Sequence, residues 1–272
     1  MIEAAVRANS GQPWWLTLSA SSILVFLCLP ILIVIPMSFS SAQSLQFPPP
    51  GFSLRWYDDF FSNDIWLQAG INSLLLAFLA SSLALVLGTL AAYGLVRGTL
   101  WGRSLLEANF MAPIIVPSII TAVALFIFFA RLGILGTFHG LVLAHTIIVI
   151  PYVVIIMQVA IRAFDVRIEQ VAATLGASQL QILGRIVLPN LLPNAAAAWI
   201  FSFVISFDEV VVTLFLAGTH LTIPKRMFNE LIMQINPTIT AVATLMILLN
   251  VCALALLVVI ARRGGVLSRT LQ

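Results

Sequence analysis

Long apolar stretches alternate with short polar connections along most of the chain. Six of these stretches are long enough to cross a bilayer as helices, which takes about 20 residues. They cover Trp14–Met37, Ile71–Val96, Leu105–Ala130, Leu141–Ile161, Pro193–Ala217 and Pro237–Ala261. Charged residues make up only 8% of the chain, whereas a soluble domain has about 25%. The pattern therefore predicts an all-α polytopic membrane protein with about six transmembrane helices.

The first apolar stretch raises a question of processing. Arg7 followed by the run from Trp14 to Met37 has the order of a secretory signal peptide. The run is longer than the roughly 7–15 apolar residues of such a peptide. We therefore expect a retained first span, with a cleaved signal peptide as the alternative.

Basic residues predict the orientation of the spans, because they concentrate on the cytoplasmic side. With a cytoplasmic N-terminus, nine basic residues fall inside and four outside. The inner set is Arg7, Arg97, Arg103, Arg162, Arg167, Arg185, Arg262, Arg263 and Arg269; the outer set is Arg55, Arg131, Lys225 and Arg226. The predicted layout is a cytoplasmic tail over 1–13, a transmembrane domain over 14–261 with a periplasmic segment over 40–69 and a cytoplasmic loop over 162–192, and a cytoplasmic tail over 262–272.

The predicted loop over 162–192 carries a helical pattern of its own. The i, i+3, i+4, i+7 spacing of one apolar helix face is met by Ile168, Val171, Ala172 and Leu175. Gly176 stands where a glycine commonly ends a helix. This half of the loop is therefore predicted to be a short helix followed by a glycine turn.

The second half of the loop predicts another helix. Ser178 and Gln181 have the spacing of a capping box. Pro189 is expected to stop or kink this helix, and Pro193 suits the first turn of the fifth span. Such a helical hairpin either fits a groove on another protein or rests on the lipid surface. The pattern alone leaves both interpretations open.

The stretch EQVAATLGASQLQILGRIVLP, from Glu169 to Pro189, resembles the EAA loop in the membrane subunits of binding-protein-dependent ABC importers. That motif reads E-A-A, three residues, glycine, nine residues, then I-x-L-P. Gly176 holds the glycine position and Ile186 opens the final element. The chain departs from the motif with Gln170 at the glutamate and Val171 at the first alanine. Further stretches, GFSLRWYDDFF, MAPIIVPSIITAVAL, SFDEVVVTLFLAG and INPTITAVATLMILLN, resemble the spermidine/putrescine-type subfamily.

The resemblance implies the type I ABC importer permease fold, with a cytoplasmic coupling helix at about Arg167 to Leu175. It implies half of a translocation pathway for a small solute, such as a polyamine or a related organic amine or opine. The expected partners are a second permease, itself a different but homologous chain, two ATPase subunits, a periplasmic binding protein and the lipid bilayer. The expected location is a bacterial-type inner membrane. The chain would hold no cofactor, because ATP and Mg are used by the separate ATPase.

The resemblance also assigns residues to ATPase coupling. They are Glu169, Gln170, Ala172, Ala173, Gly176, Ala177, Ser178, Ile186 and Pro189. The chain has one lysine, Lys225, which follows Pro224. A phosphate-binding P-loop needs a lysine after glycine, so this chain has no such ATPase motif of its own.

Two carboxylates inside the predicted fifth span, Asp208 and Glu209, are candidates for the substrate pathway. They come about 15 residues into the helix, or roughly 22 Å at 1.5 Å per residue. Ionisable groups at such depth usually face a cavity or a partner, and neighbouring helix residues point in different directions, so one of the two is expected to face the pathway. The alternatives are a structural pair with Lys225, Arg226 or the partner subunit, or a helix that starts later and leaves both carboxylates at the membrane interface. Weaker pathway candidates are Asn72, Ser118 and Tyr152.

Two other classes of function fit the sequence less well. An intramembrane enzyme needs a clustered acid–base or metal set, but His139, His145 and His220 are scattered, and Cys28 and Cys252 lie in apolar runs. An ion-coupled secondary transporter or channel commonly has internal repeats; the chain has no convincing repeat, and that alternative leaves the loop unexplained. Nothing in the sequence indicates a nucleic-acid partner.

Overall fold

The computed structural model describes residues 14–99, 101–233 and 236–263. Their regular structure is helical, apart from an isolated antiparallel bridge between Ser40 and Phe52. The helices are α1 (Trp14–Ser38), α2 (Arg55–Ser62), α3 (Asp64–Arg97), α4 (Arg103–Ile115), α5 (Ser118–Leu132), α6 (Phe138–Ala163), α7 (Val166–Thr174), α8 (Gln179–Ile182), a π-helix (Leu183–Val187), α9 (Leu188–Asp208), α10 (Val211–Leu216), α11 (Ile223–Met233) and α12 (Thr238–Arg263).

Parts of the predicted layout lie outside the described residues. These are the N-terminal tail with Arg7 and the C-terminal tail from residue 264 onward with Arg269. Residues 262–263, predicted as tail, belong to helix α12.

Five stretches of the described chain are long and apolar enough to cross a membrane, or six if one sharply bent pair counts as a span. The five are α1, α3, α6, the continuous helix from Gln179 to Asp208, and α12. The bent pair is α4 and α5, between which the chain bends by 108°. The predicted third span over Leu105–Ala130 corresponds to this bent pair, which is two helices rather than one. Pro117 lacks a backbone N–H and forces Val116 into an extended conformation, with ψ of 132°, so the helix ends there.

The second span begins seven residues before the predicted start at Ile71. The side-chain oxygen of Asn63 accepts hydrogen bonds from the N–H groups of Ile65 (3.0 Å) and Trp66 (3.4 Å) and so caps α3. Residues 64–69, predicted as part of an outer segment, are therefore helical.

The chain divides into two compact units. The first contains the described residues up to Phe60 and residues 236–245. Its α1 exposes apolar side chains along its length. Within this unit the Ser38 and Tyr57 hydroxyls are hydrogen bonded at 2.7 Å, and the Thr238 hydroxyl donates to Asp59 Oδ2 at 2.6 Å. The first bond joins the end of α1 to α2, and the second joins the start of α12 to α2.

The second unit is built around α3, α6 and α9, which pack against one another. The small residues Ala84, Gly88 and Ala92, four apart on α3, are all buried. A Cβ added at Gly88 would lie 2.9 Å from the Cβ of Val153 on α6. The glycine is therefore required for the close approach of these two helices, as small residues are in membrane bundles generally.

The second loop helix, α8, continues through the π-helix directly into the fifth span, which corrects the predicted stop or kink at Pro189. In a regular α-helix the ring of Pro189 would meet the carbonyl of Arg185. The preceding π-helix changes the pattern, and the N–H of Leu188 donates to the carbonyl of Leu183, five residues back. The helix therefore runs without interruption from Gln179 to Asp208, and Pro193 lies inside α9 rather than at its start.

The fifth span is then broken, where the sequence predicted one helix to Ala217. α9 ends at Asp208, Glu209 is extended with ψ of 118°, and α10 starts at Val211. Three consecutive valines, Val210 to Val212, lower the local helix propensity. The Glu209 carboxylate accepts a hydrogen bond from the N–H of Val212 at 2.9 Å, which caps α10.

A buried histidine joins the two sides of this break. His145 on α6 lies 2.9 Å through Nδ1 from Ser206 Oγ, before the break, and 3.0 Å through Nε2 from Thr213 Oγ1, after it. The Thr213 hydroxyl also donates to the Glu209 carbonyl at 3.0 Å. All three side chains are buried. In this bridging position His145 is a structural support of the break.

Replacing His145 with phenylalanine should therefore destabilise the protein. The variant keeps an aromatic ring but leaves the buried Ser206 hydroxyl without its side-chain partner, which costs about 1–3 kcal/mol. The thermal unfolding midpoint of the purified protein in detergent should fall. The matched control is His139→Phe, because His139 is exposed on the same helix. Equal midpoints for the two variants would show that the bridge is not needed for the break.

Candidate functional site

The predicted helical hairpin of the loop is present. The Asp165 side chain accepts a hydrogen bond from the N–H of Arg167 at 2.9 Å and caps α7. Gly176 has φ of +88°, and the bonds from Ala177 N to Ala172 O and from Gly176 N to Ala173 O close the helix in a Schellman motif. The Ser178 capping box is complete. The helix–glycine turn–helix prediction is confirmed as local structure.

α7 turns most of its predicted apolar face outward. Val171 and Leu175 are 58% and 83% exposed, and Ile168 is 47% exposed, whereas Ala172 is buried. Leu180, on α8, is 81% exposed. The hairpin therefore presents several large apolar side chains that nothing in the described chain covers.

The residues assigned to ATPase coupling are divided between surface and interior. Gln170, Ala173, Gly176, Ser178 and Pro189 are exposed, Ala177 and Ile186 are half-buried, and Glu169 and Ala172 are buried. The carboxylate of Glu169 points away from the exposed face of α7, which the sequence did not predict.

Glu169 lies at a junction of three helices. Its Oε1 accepts a hydrogen bond from Arg97 Nε at 2.8 Å, and its Oε2 accepts one from the Tyr93 hydroxyl at 2.9 Å. Arg97 Nη2 also donates to two carbonyl oxygens near the end of α6, those of Ile161 and Phe164, each at 2.9 Å. Sequence reasoning missed Tyr93 and gave Arg97 only a topological meaning. The available signal was a basic residue at the exact end of an otherwise apolar span.

Asp208 and Glu209, adjacent in sequence, face different surroundings. The Glu209 carboxylate is used within the break as the cap of α10, whereas Asp208 is exposed at the last residue of α9. Asp208 Oδ2 accepts a hydrogen bond from Asn250 Nδ2 at 2.9 Å. The alternative pairing with basic residues is not formed: Lys225 Nζ donates to the Gly218 carbonyl at 2.7 Å, and Arg226 pairs with Glu230 at 2.5 Å. Burial lowers the pKa of Lys225 below its ordinary value.

Asn250 shows where along α12 the Asp208 carboxylate lies. It is 12 residues from the start of this 26-residue helix, or about 18 Å at 1.5 Å per residue. Asp208 therefore lies beside the middle of an apolar helix long enough to cross a membrane. Sequence reasoning did not single out Asn250, because one amide in an apolar run is usually a packing residue.

The weaker pathway candidates do not join this group. The Asn72 side chain donates to the Leu221 carbonyl at 2.8 Å and accepts from Gln68 at 3.0 Å. Tyr152 packs edge-on against Phe201, and Ser118 is exposed at the start of α5. Within the part of the chain that the structure describes, no hydrogen bond or ring contact joins Asn72, Ser118 or Tyr152 to Asp208. In that same part no three His, Cys, Asp or Glu residues form a group that could hold a metal ion.

Comparison with known proteins identifies the family. Residues 84–264 match the family described as "Binding-protein-dependent transport system inner membrane component". The chain is 35% identical over 245 residues to the spermidine/putrescine transport system permease protein PotC of Haemophilus influenzae, covering 89% of this chain and 95% of that protein. It is 32% identical over 244 residues to the putrescine transport system permease protein PotI of Escherichia coli K12, covering 87% and 86%.

The fold agrees with this family. A bacterial ABC transporter involved in the import of alginate contains a chain that superposes with a TM-score of 0.66 at 16% identity, covering 91% of this chain and 94% of the other. The all-α membrane fold and the likeness to the importer permeases are thereby confirmed. In this family the membrane subunit has no cofactor and is not itself catalytic, because ATP hydrolysis is carried by a separate ATPase. The chain belongs to the inner membrane components of binding-protein-dependent transport systems and is the multi-pass permease subunit of an ABC importer.

Proposed function

We propose that this permease forms half of an inner-membrane pathway for a small organic cation, a polyamine or a related amine or opine. The observation that carries the proposal is Asp208, an exposed carboxylate at a helix break beside the middle of the apolar helix α12, bonded to Asn250. An intramembrane ionisable group generally marks a substrate or ion path. At 4 Å, a carboxylate attracts an ammonium group by about 1 kcal/mol in water and by about 4 kcal/mol at an effective dielectric constant of 20.

The names of related permeases support the same solute class. Relatives at 35% and 32% identity, which cover 89% and 87% of this chain, are named for spermidine/putrescine and putrescine transport. A further relative at 32% identity, which covers 74% of the chain, is named for sulfate transport. Polyamines carry several ammonium groups, and one of these could pair with the Asp208 carboxylate. In this proposal Glu209 shapes the break and does not contact the solute, because its carboxylate already caps α10.

The loop over 162–192 is proposed to be the cytoplasmic coupling loop, with α7 in a groove of the ATPase. Val171, Leu175 and Leu180 would supply apolar contacts because they are exposed on the hairpin. Two ion pairs lie at one end of the second unit. Arg97 at the end of α3 pairs with Glu169 on α7, and Arg162 near the end of α6 pairs with Glu107 on α4. The arginines at this end favour the cytoplasmic side, which supports cytoplasmic termini and a periplasmic segment over 40–69.

A second, homologous permease is proposed to complete the pathway on the exposed side of Asp208. Mild-detergent purification of the tagged chain, followed by mass spectrometry, tests this arrangement. We expect recovery of an ATPase and of a second permease of this family. Reconstituted with both and with the binding protein, the complex should take up a radiolabelled polyamine only when ATP is supplied. Uptake that proceeds without ATP would instead indicate a secondary carrier.

Replacing Gly176 with valine should uncouple ATP hydrolysis from uptake. The left-handed conformation at φ of +88° costs a residue with a Cβ about 1–2 kcal/mol, although a Cβ at this position would meet nothing within 4 Å. The turn, and with it the orientation of α7, should therefore change. The readout is polyamine uptake per ATP hydrolysed in proteoliposomes. Gly184→Val is the matched control, because Gly184 lies in the same loop with equal space and an ordinary φ. Full coupling in Gly176→Val would reject the role of the turn.

Replacing Asp208 with asparagine should weaken uptake of a cationic solute. The change removes the charge but retains a side chain of similar size, so uptake should fall about tenfold or more if about 1.4 kcal/mol of attraction is lost. Initial uptake rates at matched expression measure the effect. Asp165→Asn is the matched control, since asparagine also caps helices and α7 should remain intact. Unchanged kinetics in Asp208→Asn would remove Asp208 from the pathway.

A further inference from the structure

Arg97 connects three separate parts of the chain at one point. It is the last residue of α3, and its guanidinium bonds Glu169 on α7. The same guanidinium donates to the carbonyls of Ile161 and Phe164, where α6 ends. Tyr93, one turn earlier on α3, bonds the second oxygen of Glu169 at 2.9 Å. Both oxygens of one carboxylate are thus held by two side chains of one span.

The junction is shielded from water. The Arg97 and Glu169 side chains are 19% and 10% exposed, and their shortest contact is 2.8 Å. A second ion pair in the same region, Arg162 with Glu107, is longer at 3.6 Å and its side chains are 54% and 36% exposed. Exposed pairs of this kind contribute little to stability, whereas removal of one partner from a shielded pair leaves an uncompensated charge. The chain therefore contains a tight junction and a loose one for comparison.

α7 depends on this junction for its attachment. The helix has nine residues, too few to be stable in isolation, and its large apolar residues Val171 and Leu175 face outward. Its buried side chains are Glu169 and Ala172. Of these two, Glu169 alone makes directional, charge-assisted bonds to a span. A displacement of α7 would therefore be passed to α3 through Arg97 and Tyr93, and to the end of α6 through the two carbonyls.

We propose that Arg97 is a positioning residue for transport, which fastens α7 to α3 and α6 so that ATP-driven movement of α7 moves both spans together. The proposal rests on the docking of α7 on the ATPase given above. Arg97 touches neither solute nor nucleotide. Its five donors in a planar fork suit a carboxylate and two carbonyls at once, and a lysine in the same place could not reproduce that geometry.

The test uses the complete importer, reconstituted with its ATPase, second permease and binding protein. Glu169→Gln and Arg97→Lys are compared with Arg162→Gln from the loose pair. Three quantities are measured for each: the amount of ATPase that co-purifies, the thermal unfolding midpoint of the complex, and polyamine uptake per ATP hydrolysed. The third quantity separates coupling from structural support, because a merely structural loss would lower the amount of intact complex and leave the ratio unchanged.

We expect Arg97→Lys and Glu169→Gln to retain bound ATPase and to lower uptake per ATP about fivefold or more, the lower range of allosteric coupling. Arg162→Gln should keep the wild-type ratio. Tyr93→Phe, which removes one hydrogen bond and no charge, is measured as well, so that a poorly assembling charge variant does not decide the result; its ratio should fall by a smaller factor.

An unchanged ratio in Tyr93→Phe and in whichever charge variants assemble would overturn the proposal. So would an equal fall in Arg162→Gln, because the effect would then not be specific to the junction. Failure of the wild-type chain to retain any ATPase is a different result, since it would contradict the docking of α7 itself.

Discussion

Backbone polar groups inside a bilayer need partners within the protein, because the hydrocarbon supplies none. This requirement governs where the spans of this permease can be interrupted. At the break after α9, the Glu209 carboxylate accepts a hydrogen bond from the N–H of Val212, and the Thr213 hydroxyl donates to the Glu209 carbonyl. An uninterrupted helix would have satisfied both of these backbone groups. At Pro189, a π-helix changes the bonding pattern and the helix continues. At these two positions, side chains or backbone bonds replace the hydrogen bonds that a regular helix would have made.

One continuous helix links the two candidate parts of the site, the hairpin around Gly176 and the Asp208 carboxylate. The helix from Gln179 to Asp208 runs for 30 residues, or about 45 Å at 1.5 Å per residue. One end follows directly from the Gly176 turn, and the other ends at the Asp208 carboxylate. His145 fixes the far end against α6, the helix whose other end accepts hydrogen bonds from Arg97. A movement of the hairpin relative to α6 would therefore reach Asp208, the proposed pathway residue, through one continuous helix.

Sequence reasoning succeeded where the signal was local. Apolar length predicted the spans, and the Gly176 turn and the Ser178 capping box follow from the conformations and hydrogen bonds that glycine and serine favour at helix ends. It failed where the outcome depended on contacts between distant residues. The 108° bend at Pro117 could not be predicted, because a proline alone does not set an angle. The break at Glu209 contains no glycine or proline from which it could have been predicted.

The candidate site was predictable to the same extent. Asp208 was recognisable as a carboxylate in an apolar run, but its partner Asn250 is 42 residues away in the chain. Glu169 was recognisable as a carboxylate one position before the motif's glutamate, but its direction was not, because Tyr93 and Arg97 are 76 and 72 residues distant. Helical periodicity placed Val171 and Leu175 on one face without showing that the face stays uncovered.

The central claim is that this exposed face of α7 docks on an ATPase and does not rest on lipid. Photo-crosslinking from a benzophenone side chain at Leu175, which is 83% exposed, tests it directly. Val159, on α6 and 64% exposed, provides the comparison position on an apolar span. The account predicts a covalent adduct with the ATPase from position 175 and none from position 159. Crosslinking from position 175 to lipid alone, in a complex that retains its ATPase, would contradict it.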